Sequence, residues 1–215
     1  KKYKQLMNSK YKILVTGAAG FLGSHLVEKL HNLGHTVIGI DNMMGGYEDN
    51  IIKGIEFHKL DCCDLKKVQQ VMKGVDVVYH CAATAHEGLS VFSPYEITKN
   101  NYLASVSIFT AAINNKVKRI VYCSSMARYG DSKTPFTEDM EPKPIDPYAI
   151  SKVASEKVLA NLCEINKIEY VIAVPHNIIG PRQRYDDPFR NVVSIMLNRM
   201  MQKKAPIIYG DGEQK

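Results

Sequence analysis

A chain of 215 residues with 45% hydrophobic side chains can bury one sizeable core, and its composition is that of an ordinary globular protein. Its 28 basic and 22 acidic residues leave a net charge of +6, spread as scattered lysines with small clusters at Lys1-Lys2-Lys4, Lys66-Lys67 and Lys203-Lys204. This is a solvated basic surface suited to an anionic small molecule. Nucleic acid is disfavoured, because no long basic stripe carries interleaved aromatics. No apolar run is long enough to span a bilayer, and the stretch from Lys1 to Leu6 holds no apolar signal core. Cys62, Cys63, Cys81, Cys123 and Cys163 show neither Cys-x-x-Cys spacing nor a zinc-finger histidine register. No metal is expected, and the reducing cytoplasm is the expected compartment.

Strands and helices alternate along the chain. Tyr11–Val15 reads as the first strand. The helix after it places Leu22, Leu26, Leu30 and Leu33 along one side, with Gly34 as its stop. Thr36–Ile40 is a second strand ending at Asp41, and Ile55–Leu60 a third. A short helix around Val68, Val71 and Met72 leads to a fourth strand, Val75–Cys81. Ser93-Pro94 is an expected N-cap with proline at the first helical position. The long helix it opens carries Val106, Phe109 and Ile113. Arg119–Cys123 is a fifth strand. A helix through Tyr148 then buries Val153, Val158, Leu159 and Leu162, and Tyr170–Val174 is a sixth strand. Near-continuous apolar strands separated by helices predict an α/β fold: a doubly wound parallel sheet, Rossmann-type, covered on both faces. The expected organisation is a basic N-terminal extension over 1–10, a nucleotide-binding domain over 11–174 and part of a small substrate-binding region over 175–215. Two proline-bearing loops, Thr134–Pro147 and Gly180–Pro188, are long enough to be functional.

The first strand runs into Thr16-Gly17-Ala18-Ala19-Gly20-Phe21-Leu22-Gly23, which opens a helix. A strand–turn–helix context separates a dinucleotide turn from a chance glycine cluster. Gly17 permits the turn, Gly20 lets backbone approach a pyrophosphate, and Gly23 allows close packing. Free N–H groups and the positive helix end then face the phosphates. Asp41 lies about 20 residues further on, where a carboxylate accepts from ribose hydroxyls and repels a 2′-phosphate. NAD is therefore favoured over NADP. Asp61, after the third strand, could reach the adenine amine or simply cap a helix. Tyr148 and Lys152 are four apart on a helix, so they share a face. A cation beside a phenol lowers its pKa and makes a general acid/base usable near neutrality.

Together these residues resemble the extended short-chain dehydrogenase/reductase superfamily. The resemblance is strongest to its NAD-dependent nucleotide-sugar epimerase/dehydratase family, of the UDP-glucose 4-epimerase type. Further matching pieces are His80-Cys81-Ala82-Ala83, Asn100-Asn101, Ser124-Ser125 before Tyr129-Gly130, Pro147-Tyr148-x-x-Ser151-Lys152 and Asn177-Ile178-Ile179-Gly180-Pro181-Arg182-Gln183. The resemblance implies Ser125, Tyr148 and Lys152 as the catalytic set. It implies a cofactor site from Gly17, Gly20, Phe21, Leu22 and Gly23, then Asp41 and Asn42, then Asp61 and Cys62. Cys81, Ala82, Ala83, Asn100, Tyr148, Lys152 and Pro175 would complete that site, with Lys152 bonding the nicotinamide ribose and His176 packed beside Pro175 near the nicotinamide. For a UDP-linked sugar it implies Thr84, Ser124, Ser125, Tyr148, Asn177, Arg184 and Ile208, with Arg182 and Arg190 as further cations. A homodimer through the helices near 94–115 and 148–166 is also implied, with no nucleic acid or membrane partner.

The implied chemistry is oxidation of a sugar hydroxyl to a keto sugar, followed by re-reduction. Sugar 4,6-dehydratases of the family carry an Asp-Glu pair after the catalytic Ser/Thr. Here Met126 and Ala127 stand there, so the expectation is a 4-epimerase. The alternatives are a dehydratase or reductase of the same family, or a non-catalytic NAD-binding module. Arg128 departs from the family pattern, as a surface side chain or a substrate-facing one. His86-Glu87 has the look of a metal or acid/base pair. Two ligands do not make a metal site, so a hydrogen bond to substrate or plain loop structure is the better reading.

Overall fold

The computed structural model describes residues 10–187, 192–208 and 210–212. Six strands form one parallel sheet: β1 (Lys12–Thr16), β2 (Thr36–Asp41), β3 (Glu56–Lys59), β4 (Val77–His80), β5 (Arg119–Cys123) and β6 (Glu169–Ala173). Their order is β3-β2-β1-β4-β5-β6. The chain winds outward one way to β3, then crosses back to β4. In such a sheet the crevice beyond the carboxyl ends of β1 and β4 is where ligands bind.

Side chains alternate across a strand, and this splits the core in two. Ile13 and Val15 of β1 point to one face, packing with Val37 and with Val27 and Leu30 of α1 (Phe21–Asn32). Leu14 points to the other face, with Ile38, Val78 and Ile120. That second face is covered by α2 (Leu65–Val71), α5 (Ala104–Asn114) and α6 (Pro147–Asn166), through Val68, Phe109 and Leu159.

The inward stripe of α1 differs from the leucine row read from sequence. Its buried positions are Gly23, Ser24, Val27 and Leu30, while Leu33 is 54% exposed at the C-cap. The glycine turn docks Gly23 against Gly17, which fixes the helix's rotation. On β6, Tyr170 and Ile172 pack on the core but Val171 is 49% exposed, so this edge strand is covered on one face among the described residues.

The helix expected from Ser93 is built in pieces. After the short α3 (Glu87–Ser90), α4 (Pro94–Thr98) starts with proline at its first turn, although the Ser93 side chain makes no cap bond. A π turn, Lys99–Leu103, then joins α4 to α5. Such wide turns often mark functional positions, and this one carries Asn100 and Asn101. The last described helix is α7 (Val192–Met201).

Candidate active site

A cavity of about 780 Å³ opens at the β1/β4 crossover. The turn residues Gly17, Gly20, Phe21, Leu22 and Gly23 form one end of its lining. Gly17 has φ +69, and a Cβ there would sit 2.9 Å from the Ala82 amide nitrogen. A Cβ on Gly23 would stand 2.0 Å from the Gly17 carbonyl oxygen. Neither position tolerates a side chain, so the backbone stays bare where a diphosphate would meet the start of α1.

Asp41 also lines the cavity, and it braces the turn as well. Its Oδ2 accepts from Ala19 N (3.0 Å) and its Oδ1 from Met43 N (2.8 Å). A carboxylate has about four acceptor sites, so capacity remains for ribose hydroxyls. Asn42, Asp61 and Cys62 continue the lining. Asp61 accepts from Cys63 N at 2.8 Å, while the cap of α2 is Asp64, which accepts from Lys67 N. Asp61 is thus a loop-bracing residue at the cavity rather than a helix cap. Burial raises the Cys62 and Cys81 thiols well above the usual range, so both act as packing groups.

Cys81, Ala82, Ala83 and Thr84 line the middle of the cavity. The Cys81 and Ala82 amides donate to Thr16 Oγ1 at 3.1 and 3.0 Å. Thr16 Oγ1 lies 2.7 Å from His80 Nδ1, and His80 Nε2 lies 2.9 Å from Ser105 Oγ. Burial, with a smaller contribution from Lys152, pushes His80 down to about 3, so its imidazole is neutral. Ser105 donates to the Asn101 carbonyl. His80 Nε2 therefore carries the ring proton toward Ser105, and Nδ1 accepts from Thr16. This chain of bonds ties the glycine turn to the π turn. Asn101 in turn accepts from Thr84 N at 2.7 Å, and Asn100 Nδ2 donates to Thr84 Oγ1 at 3.2 Å.

Tyr148 and Lys152 converge here from α6, whose N-cap Asp146 accepts from Ala149 N at 2.9 Å. Both are almost fully buried, at 6% and 3% exposure, and both line the cavity. Lys152 Nζ donates to the Cys123 carbonyl at 2.8 Å. Burial alone would push the Lys152 ammonium down, but the phenols of Tyr122 and Tyr148 and the nearby thiols hold it above the usual lysine range. For Tyr148 the balance differs from the sequence expectation of a lowered pKa. Burial raises the phenol, and the opposing pulls of Lys152 and the Ser125 hydroxyl do not outweigh it. Without cofactor the pair is phenol plus ammonium.

Ser125 opens a 3-10 turn, Met126–Tyr129, and its Oγ accepts from Ala127 N at 3.2 Å. Ser124 lines the cavity, yet its hydroxyl proton is committed to Glu156 Oε1, which argues against it as a sugar donor. The same carboxylate pairs through Oε2 with Arg128 at 3.2 Å. Arg128 is therefore neither a surface nor a substrate-facing side chain: it is a buried partner of Glu156. Sequence reading missed Glu156, although its position four residues after Lys152 puts it on the same helix face.

The loop after β6 is split. Pro175, Asn177, Gln183 and Arg184 line the cavity. Arg184 Nε donates to Asp186 at 2.9 Å and its NH1 to the Met44 carbonyl at 3.2 Å. His176 is exposed and outside the lining, contrary to its expected place beside the nicotinamide. Arg182 pairs with Glu28 at 3.0 Å instead of facing the cavity. Ile208 is 63% exposed and not among the lining residues, so the structure does not bring it to the site. Arg190 lies outside the described residues. Glu87 lines the cavity beside His86. His86 itself pairs with Asp187, Nε2 to Oδ2 at 2.7 Å, which no spacing in the sequence announced.

A crevice at the β1/β4 crossover, a bare glycine turn with an acidic residue ending β2, and a Ser/Tyr/Lys set beside it define a nicotinamide-dinucleotide enzyme site. The family model described as the NAD dependent epimerase/dehydratase family matches residues 13–215. The chain belongs to this family. Its fold is similar to the crystal structure of UDP-glucose 4-epimerase with UDP-glucose from Thermotoga maritima, with TM-score 0.90 and 32% identity over 94% of this chain and 67% of that one. It is equally similar to UDP-N-acetylglucosamine 4-epimerase from Methanobrevibacter ruminantium in complex with UDP-N-acetylmuramic acid, with TM-score 0.90 and 33% identity over 96% and 67% of the two chains. A curated relative, the UDP-N-acetyl-alpha-D-glucosaminuronate decarboxylase of Bacillus cytotoxicus, is 29% identical over 95% of this chain and 66% of its own. The chain thus spans about two thirds of the length of each of these three relatives. NAD is the family's cofactor, and the cradle that added Cβ atoms would fill fits its diphosphate.

Proposed function

We propose that the protein is a nucleotide-sugar 4-epimerase acting on a UDP-linked hexose. The observation that carries this reading is the proton-moving set of Tyr148 with Lys152 and Ser125, followed by Met126 and Ala127, which have no ionisable group. Bound NAD would accept a hydride from the sugar carbon and return it. Its positive ring would add to the Lys152 ammonium and complete the lowering of the Tyr148 phenol that the protein alone does not achieve. Tyr148 would then take the proton from the C4 hydroxyl while Ser125 orients that oxygen by hydrogen bonding. After the ketone turns over, the phenol returns the proton to the other hydroxyl configuration. Elimination by the Asp-Glu route is closed, because neither Met126 nor Ala127 can protonate a leaving hydroxyl.

Residues 11–174 serve as the NAD unit. Asn177, Gln183 and Arg184 support 175–215 as part of the sugar-nucleotide end. A homodimer through α4–α5 and α6 is supported by Tyr95 (75% exposed), Leu103 (52%) and Ile150 (52%), apolar side chains open on those helices. No described helix is long and apolar enough to cross a membrane. With cysteines that are free throughout the described residues, a cytoplasmic enzyme is the favoured setting.

The test is incubation of the purified protein with NAD and UDP-glucose or UDP-N-acetylglucosamine. The expected product is the C4 epimer. Accumulation of a 4-keto-6-deoxy sugar would place the protein among the dehydratases instead. NAD binding without turnover of any nucleotide sugar would favour the non-catalytic module.

A further inference from the structure

His86 is 9% exposed and lines the cavity that holds Tyr148 and Lys152. Its Nε2 is 2.7 Å from Asp187 Oδ2. A carboxylate only accepts, so Nε2 carries a proton, and in the neutral imidazole Nδ1 is then a bare acceptor. That Nδ1 is buried and has no hydrogen-bond partner in the protein. A buried acceptor left unpaired is costly, and a native structure that keeps one invites a specific explanation. Gln183 adds a second, independent instance: its Oε1 is likewise buried and unpaired, and Gln183 lines the same cavity. Two orphan acceptors from two loops call for a ligand rich in donors.

The loop that carries His86 is anchored to the catalytic helix. His86 stands at the N-cap of α3. Ser90, in that helix, donates chiefly to the Glu87 carbonyl at 2.6 Å and keeps its Oγ 3.3 Å from Asp146 Oδ1, and Asp146 is the N-cap of α6, directly before Pro147-Tyr148. Asp187 reaches His86 from the far loop after β6, and it too lines the cavity. The ring is thus held between the Tyr148 helix and the proline-bearing loop that follows β6.

We propose that His86 is a sugar-contacting specificity residue: its Nδ1 accepts a hydrogen bond from a hydroxyl or amide N–H on the hexose, and Asp187 fixes the tautomer that makes this possible. The assignment rests on the nucleotide-sugar reading above, but it concerns binding and needs no turnover. A pyranose adds several hydroxyl donors at the sugar end, where UDP alone has none.

The experiment compares binding of UDP-glucose with binding of UDP, by calorimetry in the presence of NAD, for wild type, His86→Gln and His86→Asn. The Gln amide nitrogen reproduces Nε2 and keeps the Asp187 bond while losing the Nδ1 acceptor. The Asn oxygen reproduces the Nδ1 position while losing the Asp187 bond. The expected result is that wild type prefers UDP-glucose, that His86→Gln weakens UDP-glucose by about tenfold with UDP unchanged, and that His86→Asn keeps most of the preference. A latch that merely joined two loops would give the opposite order, with His86→Gln behaving as wild type, and would overturn the assignment. A wild-type protein that binds UDP-glucose no better than UDP would overturn it as well. Failure of the epimerase reading would show separately, as intact sugar discrimination without interconversion.

Discussion

Replacing Glu156 with Gln removes one charge from a buried pair and keeps the side chain's shape. Arg128 would then be stranded. Its side chain is 14% exposed, its Nε is already buried without a partner, and Glu156 is the carboxylate that faces it. Leaving one member of a buried ion pair uncompensated costs about 3–5 kcal/mol. A domain of this size loses roughly 2–4 °C of Tm per kcal/mol, so the expected fall is roughly 6–20 °C. Arg128→Met should cost less, because the Ser124 hydroxyl and the Lys152 ammonium still stabilise the Glu156 carboxylate. The double variant Arg128→Met/Glu156→Leu should recover most of the loss, since an apolar replacement of a buried pair is often close to neutral. Thermal unfolding of wild type, Arg128→Met, Glu156→Leu and their double variant, arranged as a double-mutant cycle, measures the coupling.

The pH dependence adds a second reading of the same pair. Burial raises Glu156 above its usual 4.5, against the pulls of Ser124, Arg128 and Lys152. The folded state therefore holds the proton more tightly than the unfolded one. This group's contribution is full below 4.5 and is lost as pH rises through the raised folded value. Glu156→Gln should flatten that slope. Single variants that melt within about 2 °C of wild type, or losses that simply add, would refute the idea that Arg128 and Glu156 act as a buried unit.

Tyr148→Phe should lower nucleotide-sugar interconversion by about 10²–10⁴-fold in a protein that still binds NAD; an active variant would remove the phenol from the mechanism. Gly23→Ala forces a Cβ to within 2.0 Å of the Gly17 carbonyl, so NAD binding measured by calorimetry should weaken by roughly 1–3 kcal/mol. His80→Phe removes an imidazole that burial holds down to about 3 from 6.5. In wild type that group contributes stability above 6.5 and loses it as pH falls toward 3. Unfolding followed across this range should show a flatter acid limb in the variant. Ile150→Glu on the exposed strip of α6 should shift sedimentation toward monomer, and an unchanged profile would move the proposed interface elsewhere.

Local pattern and spacing carried much of the reading. The glycine turn after β1, the carboxylate ending β2 and the four-residue step from Tyr148 to Lys152 are consequences of a few consecutive residues. Steric limits at Gly17 and Gly23 operate over one turn, and helix periodicity operates over one face. These effects are strong enough locally that the fold class and the shared helix face of Tyr148 and Lys152 were legible from the chain alone. Glu156 was also within reach, one helical turn beyond Lys152.

Burial and partner choice were decided only by the tertiary structure. Whether Lys152 lowers Tyr148 depends on how dry the phenol is, and burial prevails here. Arg128 found a carboxylate 28 residues away, and His86 found one 101 residues away. Arg182 turned to Glu28, while Ile208 stayed away from the cavity. Residues so far apart in the chain meet only after the strands have ordered around the β1/β4 crossover. The sequence determined which chemical groups are present and which of them share a turn or a helix face. The packed fold determined which of those groups are desolvated and paired, because desolvation and charge pairing depend on neighbours that no local pattern specifies.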